Sequence, residues 1–318
     1  TVTADGIKKI LACNIGSPND VANALEHDAE AIGLFRSEFL FMDAAELPSE
    51  EEQFQAYRKV ASALKGAPVI IRTLDVGGDK EIPYLHMEKE ENPFMGFRAV
   101  RYCLENADQY KVQLRALLRA GAFGDVKIMI PLVTCVEEVR AVKALVEECK
   151  AELEAEGLKY DENIEVGVMM ETPAASLIAD KLAEEADFFS IGTNDLIGYT
   201  MCADRGNDHI SNLYQVYYPA VLRSIKNIIE SGVKAGIMVG MCGEAAADPL
   251  LEPLLISFGL EEFSMSAPSI LRARKTISQW RCSRLPLASR ICCRSRALDG
   301  DGARDRSSIF DAKSIYHV

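Results

Sequence analysis

The sequence predicts an α/β protein, a closed (β/α)8 TIM barrel with a long lid-like loop after the third strand and an irregular C-terminal tail. Eight short apolar runs alternate with longer segments of helical period. The runs are apolar at nearly every position, which is typical of strands buried on both faces of a parallel sheet. An open doubly wound sheet is the alternative, but no Gly-x-Gly-x-x-Gly turn follows the first run. Eight βα units close most naturally into a barrel.

The predicted elements follow one another along the chain without a break in the alternation. The strands are predicted at 8–15, 31–36, 68–74, 126–133, 165–171, 188–193, 237–243 and 262–267. The intervening helices are predicted at 18–26, 49–64, 107–120, 136–155, 174–184, 219–232 and 249–258. Ser49 and Glu52 have the spacing of a capping box, which favours a helix that begins there.

Two segments do not fit a plain barrel. The connection 75–97 is too long for a simple βα turn, so it is predicted to be a lid or a binding loop. Residues 1–280 form the predicted barrel domain and carry a net charge of −17, whereas residues 281–318 carry +4 and contain no Glu. The second segment has no sustained period, and it is predicted to be an irregular basic tail. A cloning scar or a frame-shifted translation is favoured there over a functional basic arm.

Composition excludes several classes of function. The 318 residues carry a net charge of −13, which disfavours broad binding of nucleic acid or of anionic membranes. No apolar run approaches the roughly 20 residues that span a bilayer. Nine cysteines without a Cys-x-x-Cys pair favour a reducing, cytoplasmic setting. The N-terminus has neither a signal sequence nor an initiator Met, so we expect a soluble piece of a longer protein.

Polar side chains gather where the predicted strands end. In a (β/α)8 barrel the carboxyl ends of the strands form an open mouth that carries the reactive groups. Arg36 and Arg72 end strands 2 and 3, and their guanidinium groups suit a phosphate or carboxylate group. A purely structural alternative pairs them with Glu38 and Asp75. Arg98 and Arg101 follow the long loop on a predicted helix, where one is expected to face the mouth and the other solvent or a neighbour. Arg205, on a polar loop, is a further candidate cation.

Two carboxylates and a thiol complete the candidate site. Glu171 and Asp195 follow adjacent strands, and two carboxylates so close repel unless a proton or a cation joins them. Mg²⁺ is the natural partner, although either residue could instead cap the next helix. Cys242 follows strand 7, where a buried Cys is more often a packing residue than a catalytic one. Asn194 lies beside Asp195.

Eight collinear segments carry a family resemblance. They lie at 33–42, 69–84, 91–101, 168–175, 188–196, 204–207, 240–244 and 263–270. Together they resemble the phosphoenolpyruvate-binding domain of Enzyme I, the phosphoenolpyruvate–protein phosphotransferase of the bacterial sugar phosphotransferase system. Dikinases and phosphoenolpyruvate synthases share some of these motifs but lack the form IRTLDVGGDK at 71–80.

The resemblance implies a role for each matched residue. Arg36, Arg72, Arg98 and Arg205 would bind the substrate with Asn194 and Asp195, and Glu171 and Asp195 would bind Mg²⁺. Cys242 would protonate C3 of the enolate to give pyruvate. The resemblance also implies a homodimer, an N-terminal phosphohistidine domain that this chain lacks, and a histidine-containing phosphocarrier protein beyond it.

Two positions depart from the family pattern. Ile197 and Gly198 replace a Thr-Gln pair, and Tyr218 replaces a His, so support of the mouth is in question.

Three other functions stay open at this stage: a synthase- or dikinase-type barrel, a non-catalytic ligand-binding and dimerisation module, and an Mg²⁺-dependent lyase or aldolase. The last leaves the arginines unexplained.

Overall fold

A computed structural model describes residues 1–77, 82–85 and 87–281 of the chain. Within them, eight parallel strands close into a barrel in chain order, with β1 paired to β8. The strands are β1 Ile10–Ile15, β2 Ala31–Arg36, β3 Val69–Arg72, β4 Val126–Ile130, β5 Glu165–Met170, β6 Phe188–Ile191, β7 Met238–Met241 and β8 Glu262–Met265. The predicted (β/α)8 barrel is confirmed.

The helices surround the strands as an outer layer. They are α1 Asp20–Glu26, α2 Glu38–Met42, α3 Glu50–Ala63, α4 Val100–Glu105, α5 Ala107–Gly121, α6 Val136–Ala155, α7 Pro173–Leu177, α8 Ala179–Leu182, α9 Thr193–Met201, α10 Pro219–Ala235, α11 Glu252–Phe258 and α12 Ala267–Gln279. The capping box at α3 is present, because the Ser49 hydroxyl accepts from the Glu52 backbone and the Glu52 carboxylate accepts from the Ser49 backbone.

Alternate residues of the strands supply two separate cores. Outward-facing side chains such as Ile71, Ile128 and Phe189 pack against the helices in one large cluster. Inward-facing side chains form a second, smaller cluster inside the barrel, contributed by Leu34, Ile70, Met129, Met169, Phe188 and Cys242. The barrel interior is therefore filled rather than hollow, and ligands must bind at an end of it.

Several predicted boundaries are corrected by the structure. Strands β3 to β8 all stop one to three residues earlier than predicted. The predicted helix 174–184 is two short helices, α7 and α8, separated by Ile178. Helix α4 contains Arg101 as predicted, but Arg98 precedes it. Helices α2, α9 and α12 are not among the predicted ones; α2 and α9 span nine residues or fewer, too few to establish a helical period.

The long loop after β3 is present and contains two 3₁₀ turns, Pro83–Leu85 and Pro93–Met95. Its residues 78–81 and 86 lie outside the described residues, as does nearly all of the predicted tail, from residue 282 onward. The division into a barrel at 1–280 and a tail at 281–318 therefore stays a prediction. Across the described ranges, no helix is both long and apolar enough to cross a membrane.

Candidate active site

A chain of alternating charges is buried at the mouth, the carboxyl end of the barrel strands. Arg72, the last residue of β3, lies with Nη2 2.5 Å from Glu38 Oε1 and Nη1 2.8 Å from Asp75 Oδ2. Arg98 contacts the other oxygen of the same Asp75, at 2.7 Å from Nη2. Burial disfavours the charged form of Arg72, but Glu38 and Asp75 outweigh this and raise its pKa. Both guanidinium groups therefore stay charged in a site that is shielded from water.

The structural pairing that the sequence left open is thus real for Arg72 but not for Arg36. Arg36 ends β2 with an exposed side chain, and its guanidinium carbon lies 5.1 Å from the centroid of the Phe39 ring.

Arg205 is exposed on the loop after α9. Burial raises the pKa of Tyr214 to about 12 against the opposing effect of Arg205, which places that cation near the Tyr214 hydroxyl. The same hydroxyl donates to the backbone oxygen of Asn194 at 2.8 Å.

The two predicted metal-binding carboxylates lie close enough for their charges to interact. Glu171 follows β5, is 1% exposed, and accepts from the Leu132 backbone at 2.7 Å. Asp195 lies in the first turn of α9, with Oδ2 3.5 Å from Arg98 Nη2. Burial, followed by the charges of Asp195 and Asp75, raises the pKa of Glu171. The alternative in which Asp195 caps its helix is wrong, because Gly192 occupies the N-cap.

This arrangement fits a divalent cation. A buried carboxylate whose pKa is raised by a second carboxylate is relieved when a cation binds between them. Room for the Glu171 side chain is provided by Gly192, where a Cβ atom would lie 2.8 Å from Glu171 Oε2. Within the described parts of the chain, no three His, Cys, Asp or Glu side chains could enclose a metal ion. A cation held here would therefore need oxygen ligands from substrate and water.

Cys242 directly follows β7. Its side chain is buried in the inner apolar cluster and also lies next to polar groups. It is 3% exposed, belongs to the inner cluster, and its backbone N–H donates to Ile191 O at 3.0 Å. Burial raises the pKa of the thiol to about 12, an effect that the Ser190 hydroxyl lowers in part and the Glu171 charge increases. The thiol therefore keeps its proton at neutral pH, as a proton donor requires.

Strained backbone occurs at two residues next to the site. Ala99, which follows Arg98, has φ 54°, and Leu132, whose N–H binds Glu171, has φ 57°. Non-glycine residues rarely adopt this left-handed region, and such strain concentrates at functional sites. The strain therefore coincides with the groups that hold the second arginine and the buried carboxylate.

Sequence reasoning missed one residue of the site. Tyr199, on α9, accepts from Arg98 Nη1 at 3.4 Å and donates to the backbone oxygen of Phe94 in the long loop. It lies four residues after Asp195, on the same face of the helix, and that spacing is the signal that could have found it. Of the two arginines expected after the loop, Arg98 faces the mouth and Arg101 binds loop carbonyls at 3.0 and 3.1 Å.

The departures from the family pattern have structural partners. Ile197 is buried in the outer core, and the Tyr218 hydroxyl donates to Asn212 O at 3.2 Å. Gly198 lies close to Tyr214, because a Cβ atom there would be 3.8 Å from that ring.

The fold and the grouped side chains place the chain among (β/α)8 barrel proteins whose mouth joins buried arginines to facing carboxylates. Comparison with known families makes this specific: the chain belongs to the family described as PEP-utilising enzyme, PEP-binding domain, whose model matches residues 1–282.

Two relatives named phosphoenolpyruvate-protein phosphotransferase extend the comparison. The one from Bacillus sp. (strain S) and the one from Geobacillus stearothermophilus are each 55% identical over 279 residues, which cover 88% of this chain and 48% of the relative. The chain thus spans about half the length of the curated relatives it matches. A citrate lyase from Burkholderia xenovorans has a similar fold, with a TM-score of 0.51 and 15% identity over 100% of this chain and 91% of its own.

Proposed function

We propose that this chain is the catalytic barrel of a phosphoenolpyruvate–protein phosphotransferase. It binds phosphoenolpyruvate with Mg²⁺, passes the phosphoryl group to a histidine of an N-terminal domain, and releases pyruvate. The observation that carries the proposal is the charge chain Glu38–Arg72–Asp75–Arg98 beside Glu171 and Asp195, in a chain 55% identical to enzymes of that name. A lyase function would not account for the two buried arginines.

The buried arginines bind and orient the phosphate. Their donors are fixed by Glu38 and Asp75, so little side-chain entropy is lost when a phosphate oxygen binds. Arg36 and Arg205 add charge from the exposed side of the mouth, with Asn194 beside them. Phosphoryl transfer depends mainly on alignment and on stabilisation of charge, which this set supplies.

Glu171 and Asp195 would hold Mg²⁺, which when bound neutralises negative charge on the substrate's carboxylate and phosphate oxygens. The remaining work falls to the chain's own residues. Phosphoryl transfer leaves an enolate of pyruvate, and the carbon C3 of that enolate needs a proton. Cys242 keeps its thiol protonated by burial and lies at the same mouth, so it is the proposed donor.

The proposal extends to partners outside this chain. The phosphoryl acceptor is a histidine on a separate N-terminal domain, and the phosphocarrier protein of the sugar phosphotransferase system receives the group from it. A homodimer is part of the same proposal. A cytoplasmic setting stays a prediction from the cysteine content.

Calorimetric titration with phosphoenolpyruvate, with and without Mg²⁺, tests the binding site. We expect saturable binding that needs the metal, and no binding of the lyase-type ligand oxaloacetate under the same conditions. Binding of neither, or metal-independent binding, would contradict the proposal. Adding a separately prepared N-terminal domain and following its phosphorylation then separates a catalytic barrel from a ligand-binding and dimerisation module, which would bind but transfer nothing.

A further inference from the structure

The inside of the barrel is divided into an apolar and a polar half. Strands β2 to β5 contribute Leu34, Ile70, Met129 and Met169, which pack together with Phe188. The opposite side is polar, with side chains from β1, β6 and β8: Asn14, Ser190, Glu262 and Ser264. Cys242, directly after β7, belongs to the apolar cluster and lies next to the Ser190 hydroxyl of the polar side. The proposed proton donor therefore stands above a column of polar groups that the chemistry at the mouth does not use.

Glu262 is the acidic member of this polar column. Its carboxyl group faces inward, because a Cβ atom on Gly33 would lie 2.6 Å from Oε1, and one on Gly240 would lie 3.0 Å from the same atom. Gly33 of β2 and Gly240 of β7 thus make the space that the carboxyl group fills. Glu262 is 1% exposed, and its Oε1 has no hydrogen-bond partner among residues 1–77, 82–85 and 87–281. A buried carboxylate in that position is costly, whereas the neutral acid is tolerated.

Charged groups at the amino end of the barrel do not remove this cost. Lys127 of β4 opposes the effect of burial on Glu262, but its ammonium group lies 2.6 Å from Glu165 Oε2. Lys9, before β1, donates to the Leu260 backbone oxygen at 2.6 Å. Burial accordingly raises the pKa of Glu262 to about 7. A group with that pKa holds a proton for part of the time at neutral pH and can give it up.

Polar side chains lie inside the barrel around Glu262 and Cys242. The Ser264 hydroxyl, which borders Gly33 beside Glu262, donates to Asn14 Oδ1 at 2.5 Å, and Asn14 Nδ2 donates to Cys242 O at 2.9 Å. The charge of Glu262 contributes to the raised pKa of Cys242, so the two groups lie within electrostatic reach. Ser190, paired in register with Gly240, has a buried hydroxyl next to the thiol.

We propose that Glu262 returns a proton to Cys242 from inside the barrel after each protonation of the enolate. This rests on the proposed function. Once the thiol has given its proton to carbon, a buried thiolate remains below a mouth filled by product, with 3% exposure to solvent. The O–H bond of Glu262 breaks, the Ser190 hydroxyl, which stands in register with Glu262 across Gly240 and lies next to the thiol, accepts that proton and donates its own, and an S–H bond forms. The electron pair stays on the carboxylate, which regains a proton from water at the Lys127–Glu165 end.

Proton exchange on pyruvate tests this without a phosphoryl acceptor. In deuterium oxide with Mg²⁺, enolisation by Cys242 replaces the methyl hydrogens of pyruvate, and proton NMR follows their loss. Glu262→Gln keeps the volume but carries no acidic proton. We expect its exchange rate to fall by about tenfold or more, with phosphoenolpyruvate affinity nearly unchanged, and Glu262→Asp to restore part of the rate.

Glu252→Gln is the matched control, because Glu252 is also a buried acid but lies on α11 outside the barrel. Infrared spectra give a readout that does not depend on metal or activity: the carbonyl band of a protonated acid should be present in wild type and reduced in Glu262→Gln. Wild-type exchange in Glu262→Gln, or an unchanged band, would overturn the proposal. Undiminished exchange in Cys242→Ala would instead refute the proton-donor role within the proposed function.

Discussion

At the scale of single residues, the arginines of the mouth fall into two kinds. Arg72 and Arg98 are buried and each binds a carboxylate, whereas Arg36 and Arg205 are exposed. A buried pair that loses one member leaves an uncompensated charge, but an exposed cation can be removed without that penalty. Arg36 therefore reports on ligand binding alone, and Arg72 reports on binding and on folding together.

Arg36→Ala should weaken binding of phosphoenolpyruvate by about ten- to a hundredfold and leave the urea midpoint of unfolding unchanged. Arg72→Ala should lose binding and also about 3–5 kcal/mol of unfolding free energy, because Glu38 and Asp75 lose their shared partner. Calorimetry and urea unfolding measure the two effects. Unchanged affinity in Arg72→Ala would count against the site.

Cys242→Ala should separate proton donation from binding. The thiol contributes little to holding phosphate, so affinity for phosphoenolpyruvate should stay within about twofold of wild type. In an assay with the acceptor domain and a chirally labelled substrate in deuterium oxide, stereospecific protonation at C3 should be lost. A variant with unchanged turnover and unchanged stereochemistry would make Cys242 a packing residue only.

At the scale of elements, helix α9 and the loop after β3 are joined across the mouth. Tyr199 binds Phe94 of the loop and Arg98, and Asp195 of the same helix approaches Arg98. One turn of one helix thus connects the long loop, the buried guanidinium group of Arg98 and the carboxylate of Asp195. The loop and Arg98 therefore share one hydrogen-bonding partner, the Tyr199 hydroxyl.

Tyr199→Phe removes the hydroxyl and keeps the ring. Hydrogen exchange of the backbone at 93–97 should become faster, and affinity for phosphoenolpyruvate should fall by about two- to tenfold, the usual worth of a hydrogen bond. Tyr160→Phe, far from the mouth on the segment before β5, is the control. Equal exchange rates in the two variants would show that Tyr199 does not hold the loop.

The elements also show what could be predicted from the sequence. Helix α6 spans 136–155 as predicted, because twenty residues of clear period leave no ambiguity. Helix α9 was missed because its nine residues follow an apolar strand directly and include Gly198. The candidate site could be located by strand ends, which parallel topology brings to one edge. The pairing of charged side chains within the site could not be predicted. Asp75 and Arg98 are 23 positions apart in the sequence, and the loop between them has no periodicity from which its course could be predicted.

The buried carboxyl group of Glu252, on α11, makes the stability of the fold depend on pH. Burial raises the pKa of Glu252 to about 7 from the usual 4.5, and one of its carboxyl oxygens has no hydrogen-bond partner in the described residues. The folded chain therefore holds this proton to a higher pH than the unfolded chain does. Stability from this group is present below about pH 4.5 and is lost as the pH rises through about 7.

Glu252→Gln should consequently become more stable relative to wild type as the pH rises from 5 to 8, by up to about 3 kcal/mol, and the difference should then level off. Urea unfolding at several pH values measures it. Glu230→Gln, which alters an exposed carboxylate on α10, is the comparison. A difference that shrinks with rising pH would have the wrong sign for this explanation.

At the scale of the whole molecule, the proposed homodimer is the property to test first. Several apolar side chains of the barrel are exposed, among them Leu177 of α7, 81% exposed, and Leu271 of α12, 55% exposed. Light scattering at micromolar concentration should give twice the chain mass of 35.0 kDa. A dilution series should show dissociation to the single mass, and a value near 35.0 kDa at every concentration would reject the dimer.

The buried charge chain has a consequence for how the protein responds to its solution. Arg36, Arg72, Arg98 and Arg205 are matched in number by four carboxylates at the mouth, those of Glu38, Asp75, Glu171 and Asp195. These eight described groups thus have no excess positive charge with which to attract a trianion from a distance. A trianion that binds there is expected to take up cations or protons from the solution. The heat of binding should then vary with the ionisation enthalpy of the buffer. The measured affinity should likewise depend on the salt and buffer as well as on the protein.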